Sequence, residues 1–222
     1  MNKFTVKGFL FSLIFGLSFV ANATLVSLVE NGDFEDVDVQ DGSWQWFAAG
    51  AVGWSGDNVE IWDSLFPGVE AFSGEQHAEL NAHPYNGTQW VLEQTLTGLT
   101  DGDIYDFGFA YRARSNTSES FRFEIIGSES SVNLLLDDHT TTQWEQVNSS
   151  FKVVGTEATI RFSSIQPGSG TVGNLLDAVY VNASEGGSGT SQPVPEPSTL
   201  LIFSLALIGL NWRRVSASLQ RK

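Results

Sequence analysis

The sequence contains no cysteine, which excludes a disulfide framework and any thiolate metal site. Basic residues are scarce, with 11 Lys and Arg against 26 Asp and Glu. Six of those 11 sit at the ends: Lys3 and Lys7 near the start, and Arg213, Arg214, Arg221 and Lys222 at the finish. Of the acids, only Glu196 lies beyond residue 193, so five basic residues face 25 acidic ones between residues 24 and 193. An excess of that size argues against nucleic acid or an anionic membrane surface as a partner. It suits an exported soluble domain and favours calcium wherever carboxylates converge. Long apolar runs are missing too, since neither terminal run reaches the ~20 residues of a permanent spanning helix. No Gly-x-Ser-x-Gly, His-Glu-x-x-His or phosphate-binding loop occurs, and His77, His83 and His139 are scattered. Glycosidases need two carboxylates ~5–10 Å apart, a pairing that 25 acids produce by accident. A non-enzyme is expected.

The two ends carry signals instead. Residues 1–23 have a basic start with Lys3 and Lys7, an apolar stretch from Phe9 to Val20, and Ala21-Asn22-Ala23. These are the three parts of a secretory signal peptide, with Thr24 as the expected mature N-terminus. At the other end, residues 183–193 are rich in Ser and Gly and read as a flexible linker. Pro195-Glu196-Pro197 follows, then an apolar run from Leu200 to Leu210, then Arg213-Arg214. Eleven residues at ~1.5 Å each give ~17 Å of helix, well under the ~30 Å hydrocarbon core. The arginine pair favours the cytoplasmic side.

In that order these features resemble the PEP-CTERM tail, also described as an ice-binding protein C-terminal motif. The resemblance implies a sorting signal over 194–214 with a hydrophobic helix at 199–212, and a cytoplasmic basic end at 215–222. Pro195, Glu196, Pro197, Arg213 and Arg214 would carry the signal. The implied partner is an exosortase-type membrane enzyme. The implied route runs through the inner membrane, transiently, to the envelope or extracellular matrix of a Gram-negative bacterium that makes extracellular polysaccharide.

Between the ends, the sequence alternates. Tyr105, Phe107, Phe109 and Tyr111 share one face, as do Phe121, Phe123 and Ile125, then Ile160 and Phe162, and Leu175 with Val179 and Val181. Such period-two runs, punctuated by clusters such as Thr100-Asp101-Gly102-Asp103, predict half-buried antiparallel strands. Eight or more of them in residues 24–182 predict an all-β sandwich or jelly roll. The landmarks Asn31-Gly32-Asp33-Phe34-Glu35, Gly53-Trp54, Glu60-Ile61-Trp62, Gly74-Glu75-Gln76 and Leu176-Asp177-Ala178 resemble a galactose-binding-like jelly roll of the carbohydrate-binding-module type. That resemblance implies a structural calcium ion. Glu35 and Asp177 would offer side-chain oxygens, and Asp33 with the Gly74–Glu75 turn would offer carbonyls.

Six of the seven Trp lie in this middle region. A sugar ring presents an apolar face that stacks on indole, while polar neighbours fix its hydroxyls. Trp44, Trp46, Trp62, Tyr85, Trp90 and Arg112 are the candidates for binding extracellular polysaccharide or another glycan. Trp54 and Trp144 are assigned to the core. A structural or adhesive calcium-stabilised matrix protein without a sugar site is the alternative, followed by a polysaccharide-acting hydrolase.

Overall fold

The computed structural model describes residues 27–65, 68–85, 87 and 89–184. The leader at 1–23, the linker beyond Ser184, the tail at 194–214 and the end at 215–222 lie outside the described residues. Among the described residues there is no helix, hence none long and apolar enough to cross a membrane. Eleven strands form instead: β1 Trp44–Phe47, β2 Ser55–Gly56, β3 Val59–Asp63, β4 Gln76–Glu79, β5 Val91–Thr97, β6 Ile104–Arg112, β7 Ser120–Ile126, β8 Val132–Leu136, β9 Glu145–Lys152, β10 Glu157–Gln166 and β11 Leu175–Ala183. β11 runs one residue into the stretch expected as linker.

They make two antiparallel sheets, as the alternation predicts. One has six strands in the order β1-β3-β4-β11-β6-β9; the other has five in the order β2-β5-β10-β7-β8. The inward face of each sheet is aromatic because β6 brings Phe107 and Phe109, β7 brings Phe121 and Phe123, and β10 brings Phe162. Phe107 meets Phe123 at 5.3 Å between ring centroids, and Phe109 meets Phe162 at 5.1 Å, edge on. These contacts bridge the sheets. Burying one such side chain contributes about 1.5–3 kcal/mol, so the Phe cluster at this seam is a principal source of stability.

One alternation expected from the sequence does not hold. Leu176, Val179 and Val181 enter the core, whereas Leu175 is buried on the opposite side of β11. The cause is a bulge. Asp177 pairs with Ala110 and Tyr180 with Gly108, so β11 carries one residue more than β6 over that interval. Ala178 takes the extra step at φ 50°. A bulge of this kind bends its strand and re-aims the neighbouring side chains, and here it turns Asp177 towards the 72–73 backbone while Val179 N–H donates to Gly32 O (2.7 Å).

Candidate functional site

The outward face of the six-stranded sheet is laid out in rows by strand register. Trp44 lies opposite Trp62, and Trp62 opposite His77. In the next row Trp46 faces Glu60, Glu60 faces Glu79, Glu79 faces Leu175 and Leu175 faces Arg112. These residues alternate with Ile61, Ala78, Leu176 and Tyr111, which belong to the core. The period of two therefore fixes both faces at once.

Two fully buried carboxylates sit side by side in the second row. Glu60 Oε2 accepts from His83 N–H (3.0 Å) and lies 2.7 Å from His83 Nδ1, while Glu60 Oε1 is buried without a hydrogen-bond partner. Glu79 takes Arg114 Nη1 on both oxygens, at 2.9 and 2.7 Å, and Gly173 N–H on Oε1 at 2.5 Å. Burial pushes the Glu79 carboxyl above the usual carboxylate range, Arg114 pulls it back, and Glu60 raises it again. Above this pair the aromatic and cationic groups stack. The Arg114 guanidinium lies 4.3 Å over the Trp62 ring, Trp44 stacks on Trp62 at 5.7 Å, and His83 stacks on Trp44 at 5.0 Å. Trp62 is thus a floor, 6% exposed, whereas Trp46 is 45% exposed on the edge strand.

Beside this stack opens a cavity of about 180 Å³. Trp62, His77 and Leu175 line it together with Asp63, Arg112, Arg114, Ser115 and Thr141. Asp63 is tied to the backbone, its Oδ1 accepting from Gly42 N–H (2.6 Å) and Leu65 N–H (2.9 Å). His77 is held down to about 4, first by burial and then by the charges of Arg112 and Arg114. It is a neutral ring at physiological pH. Arg112 Nη2 donates to Thr141 O at 2.5 Å, its Nε is buried with no partner, and burial lowers its pKa.

The residues expected to hold calcium are partly assembled. Asp177 Oδ2 accepts from Phe72 N–H (2.7 Å) and Ser73 N–H (3.0 Å), and Oδ1 from Ala178 N–H (2.6 Å). Glu35 Oε1 accepts from Glu75 N–H (2.7 Å) and Gln76 N–H (2.8 Å). Gly74 makes that approach possible, since a Cβ there would stand 2.2 Å from Glu35 Oε1 and its φ is +67°. Burial, with a contribution from Glu35, pushes Asp177 up to about 7. Among the described residues no Lys, Arg or His forms an ion pair with either carboxylate. The charge suits a divalent cation. The side-chain donors are few: Asp33 and Glu75 are exposed, and no group of three or more His, Asp or Glu among the described residues is arranged around a metal position. A cation here would take most of its oxygens from backbone carbonyls.

Trp90 and Tyr85 stand apart from the sheet face. Trp90 is 3% exposed and its indole N–H donates to Ala82 O (3.0 Å), so it is a core side chain rather than a stacking platform. Tyr85 lies flat on it at 4.7 Å and is 40% exposed. Trp54 is fully buried, as expected. Trp144, expected in the core, instead covers the loop before β4: its N–H donates to Glu70 O (2.9 Å) and its ring meets His77 edge on at 5.7 Å. It follows Gln143, in the loop before β9, and so escapes the strand alternation. Glu60, Glu79, His83 and Thr141 were not singled out from the sequence. The i, i+2 spacing of Glu60 with Trp62 and of His77 with Glu79 was the available signal.

Residues 193–215 match the PEP-CTERM protein-sorting motif, which implies export to the cell envelope or extracellular space. Over 219 residues, 94% of this chain, the sequence is 24% identical to halomucin of Haloquadratum walsbyi, and it spans about 2% of the length of that protein. Among solved structures it is similar to a family 61 carbohydrate-binding module in complex with β-1,4-galactotriose, with TM-score 0.46 and 15% identity, covering 72% of this chain and 99% of that one. It is similar to the tailspike protein 4 enzymatically active domain of bacteriophage CBA120, with TM-score 0.46 and 14% identity over 71% of this chain and 21% of that one. The CBM22-1 xylan-binding domain from Paenibacillus barcinonensis Xyn10C gives TM-score 0.41 and 10% identity over 66% and 97%. The ligand of the present chain has to be read from its own site.

Proposed function

We propose that this chain is an exported, non-catalytic module that binds glycan on the outward face of its six-stranded sheet and serves at the envelope or in the extracellular matrix. Residues 1–23 would be removed on export, and a membrane-bound sorting enzyme would act on the tail. The observation that supports the reading is a polar, ring-sized cavity on the sheet face that also carries Trp44, Trp46 and Trp62. Trp46 supplies the open indole, and Arg112, His77, Ser115 and Thr141 supply the polar groups that fix hydroxyls. The buried carboxyls of Glu60 and Glu79 lie outside the cavity lining, and three of their four oxygens are held by His83, Arg114 and Gly173. That arrangement supports binding over hydrolysis.

A glycan array read with the purified chain tests this directly. At least one polysaccharide class should be retained, and Trp46→Ala should weaken it by up to about tenfold, the size of one stacking contact. Uniform blanks across the array would leave the matrix-protein alternative standing, and release of reducing sugar would favour the hydrolase.

Calcium belongs to the same proposal as a structural ion at Glu35 and Asp177. A carboxyl raised in the fold stabilises it below its unfolded pKa, and that contribution is lost as pH climbs through the folded value. The metal-free protein should therefore lose stability between about pH 4 and pH 7 through Asp177. Calcium binds the ionised form, so its addition should raise Tm more at pH 8 than at pH 5.5. At a hundred times Kd the gain is about 2.7 kcal/mol, and Asp177→Ala should abolish it. Identical melting curves with chelator and with calcium would remove the ion from the account.

A further inference from the structure

Five basic residues serve the whole region from 24 to 193, and their placement is uneven. Lys152 pairs with Glu129, Arg161 with Glu93 and Arg114 with Glu79. Arg122 hydrogen-bonds Asn133 at the surface. Arg112 alone lines the cavity without an ion pair: among the described residues its one hydrogen bond goes to the Thr141 carbonyl, and its buried Nε has no partner. In a domain with 25 acids, the Arg112 guanidinium stands in the cavity with no carboxylate paired to it among the described residues.

An uncompensated guanidinium charge in a partly buried cavity is costly, and an anionic ligand group relieves it. A planar carboxylate matches the guanidinium edge with two parallel hydrogen bonds, which a hydroxyl cannot do. Asp63 does not fill the role: its Oδ1 accepts from the Gly42 and Leu65 amides, and it forms no ion pair with Arg112. Neither does Glu79, which is fully buried and bound to Arg114. At His77 the two guanidiniums of Arg112 and Arg114 outweigh the carboxylate of Asp63. At about 180 Å³ the cavity is smaller than the roughly 300–1,000 Å³ of sites for drug-sized ligands, and it suits a single ring.

We infer that the cavity selects a carboxylate-bearing sugar, so that the glycan bound is an acidic polysaccharide containing uronic acid, with Arg112 as the residue that reads the carboxylate. This rests on the glycan-binding reading above and narrows it. The domain's overall negative charge slows approach of such a polymer, but that repulsion is screened beyond about 8 Å at physiological salt. The contact at Arg112 is not.

The test compares one polymer in two forms: polygalacturonate and its carboxyl-reduced derivative, titrated calorimetrically against the purified chain. The acidic form should bind at least about tenfold more tightly, the factor one charged hydrogen-bond pair supplies. Arg112→Gln should erase that preference, because the acidic form loses at least about tenfold more affinity than the neutral form does. Arg112→Lys should retain part of it, since charge survives and the fork does not. Equal affinity for the two forms overturns the inference and leaves the glycan reading intact. A sulfated galactan binding in place of the uronate overturns the carboxylate assignment. Binding of none of these polymers by a chain that retains another glycan on the array also overturns it, and loss of all glycan binding removes both readings together.

Discussion

Arg114→Ala is expected to cost about 3–5 kcal/mol of stability at neutral pH, the range for breaking a buried ion pair from one side. The urea midpoint should fall with little change in slope. Arg114 holds both oxygens of Glu79, which is fully buried and flanked in register by the equally buried Glu60. Removing the guanidinium leaves two adjacent carboxyls in a site where only His83 and the Gly173 amide remain as partners. It also uncovers Trp62, whose ring the guanidinium overlies. The deficit should depend on pH in a defined direction. Burial already raises Glu79 and Arg114 opposes that rise, so the substitution raises it further. A carboxyl raised in the folded state stabilises the fold at low pH and loses that contribution as pH rises through its folded pKa. The loss should be smallest near pH 5 and grow towards pH 9. A flat deficit below about 1 kcal/mol, as for an exposed ion pair, would mean that Glu79 is not the buried partner described.

The second large effect concerns location. Changing Pro195, Glu196 and Pro197 to alanine should trap the full-length chain in the membrane fraction while the surface and secreted forms fall several-fold, read by immunoblot after fractionation. The triple substitution keeps the apolar run from Leu200 to Leu210 and the Arg213–Arg214 pair. A plain hydrophobic anchor would be indifferent to it. The PEP-CTERM protein-sorting motif at 193–215 would not. Distribution identical to the parent chain would reduce the triplet to a spacer.

Most of the sandwich was legible because aromatic alternation is a strong signal. Tyr105 to Tyr111 and Phe121 to Ile125 point where their spacing says they must. The reading failed at Leu175, where a bulge residue at Ala178 shifts the period, and nothing in Leu-Leu-Asp-Ala-Val announces a bulge. The site was half legible. Trp44, Trp46, Trp62 and Arg112 share one sheet face, because β1, β3 and β6 belong to the same sheet, although β4 and β11 lie between β3 and β6. Trp90, expected as a stacking residue, is buried, because sequence shows that an indole is present but not which way it points as the chain enters β5. Glu60, Glu79 and His83 were lost among 25 acids and three scattered histidines. Only the register of β3 against β4, which has no sequence signature, makes them neighbours.

The order of the strands also bears on how the sheet closes. β11 is the last strand among the described residues, yet it lies in the middle of its sheet between β4 and β6, and the chain before β1 pairs back onto it through Leu28 and Val181. Until residue 183 is available, that sheet is two separate pieces with open edges, and long-range pairing of this kind is slow. A chain emerging from its N-terminus therefore cannot close early around its own core. Its six-stranded sheet joins into one piece only when β11 slots between β4 and β6.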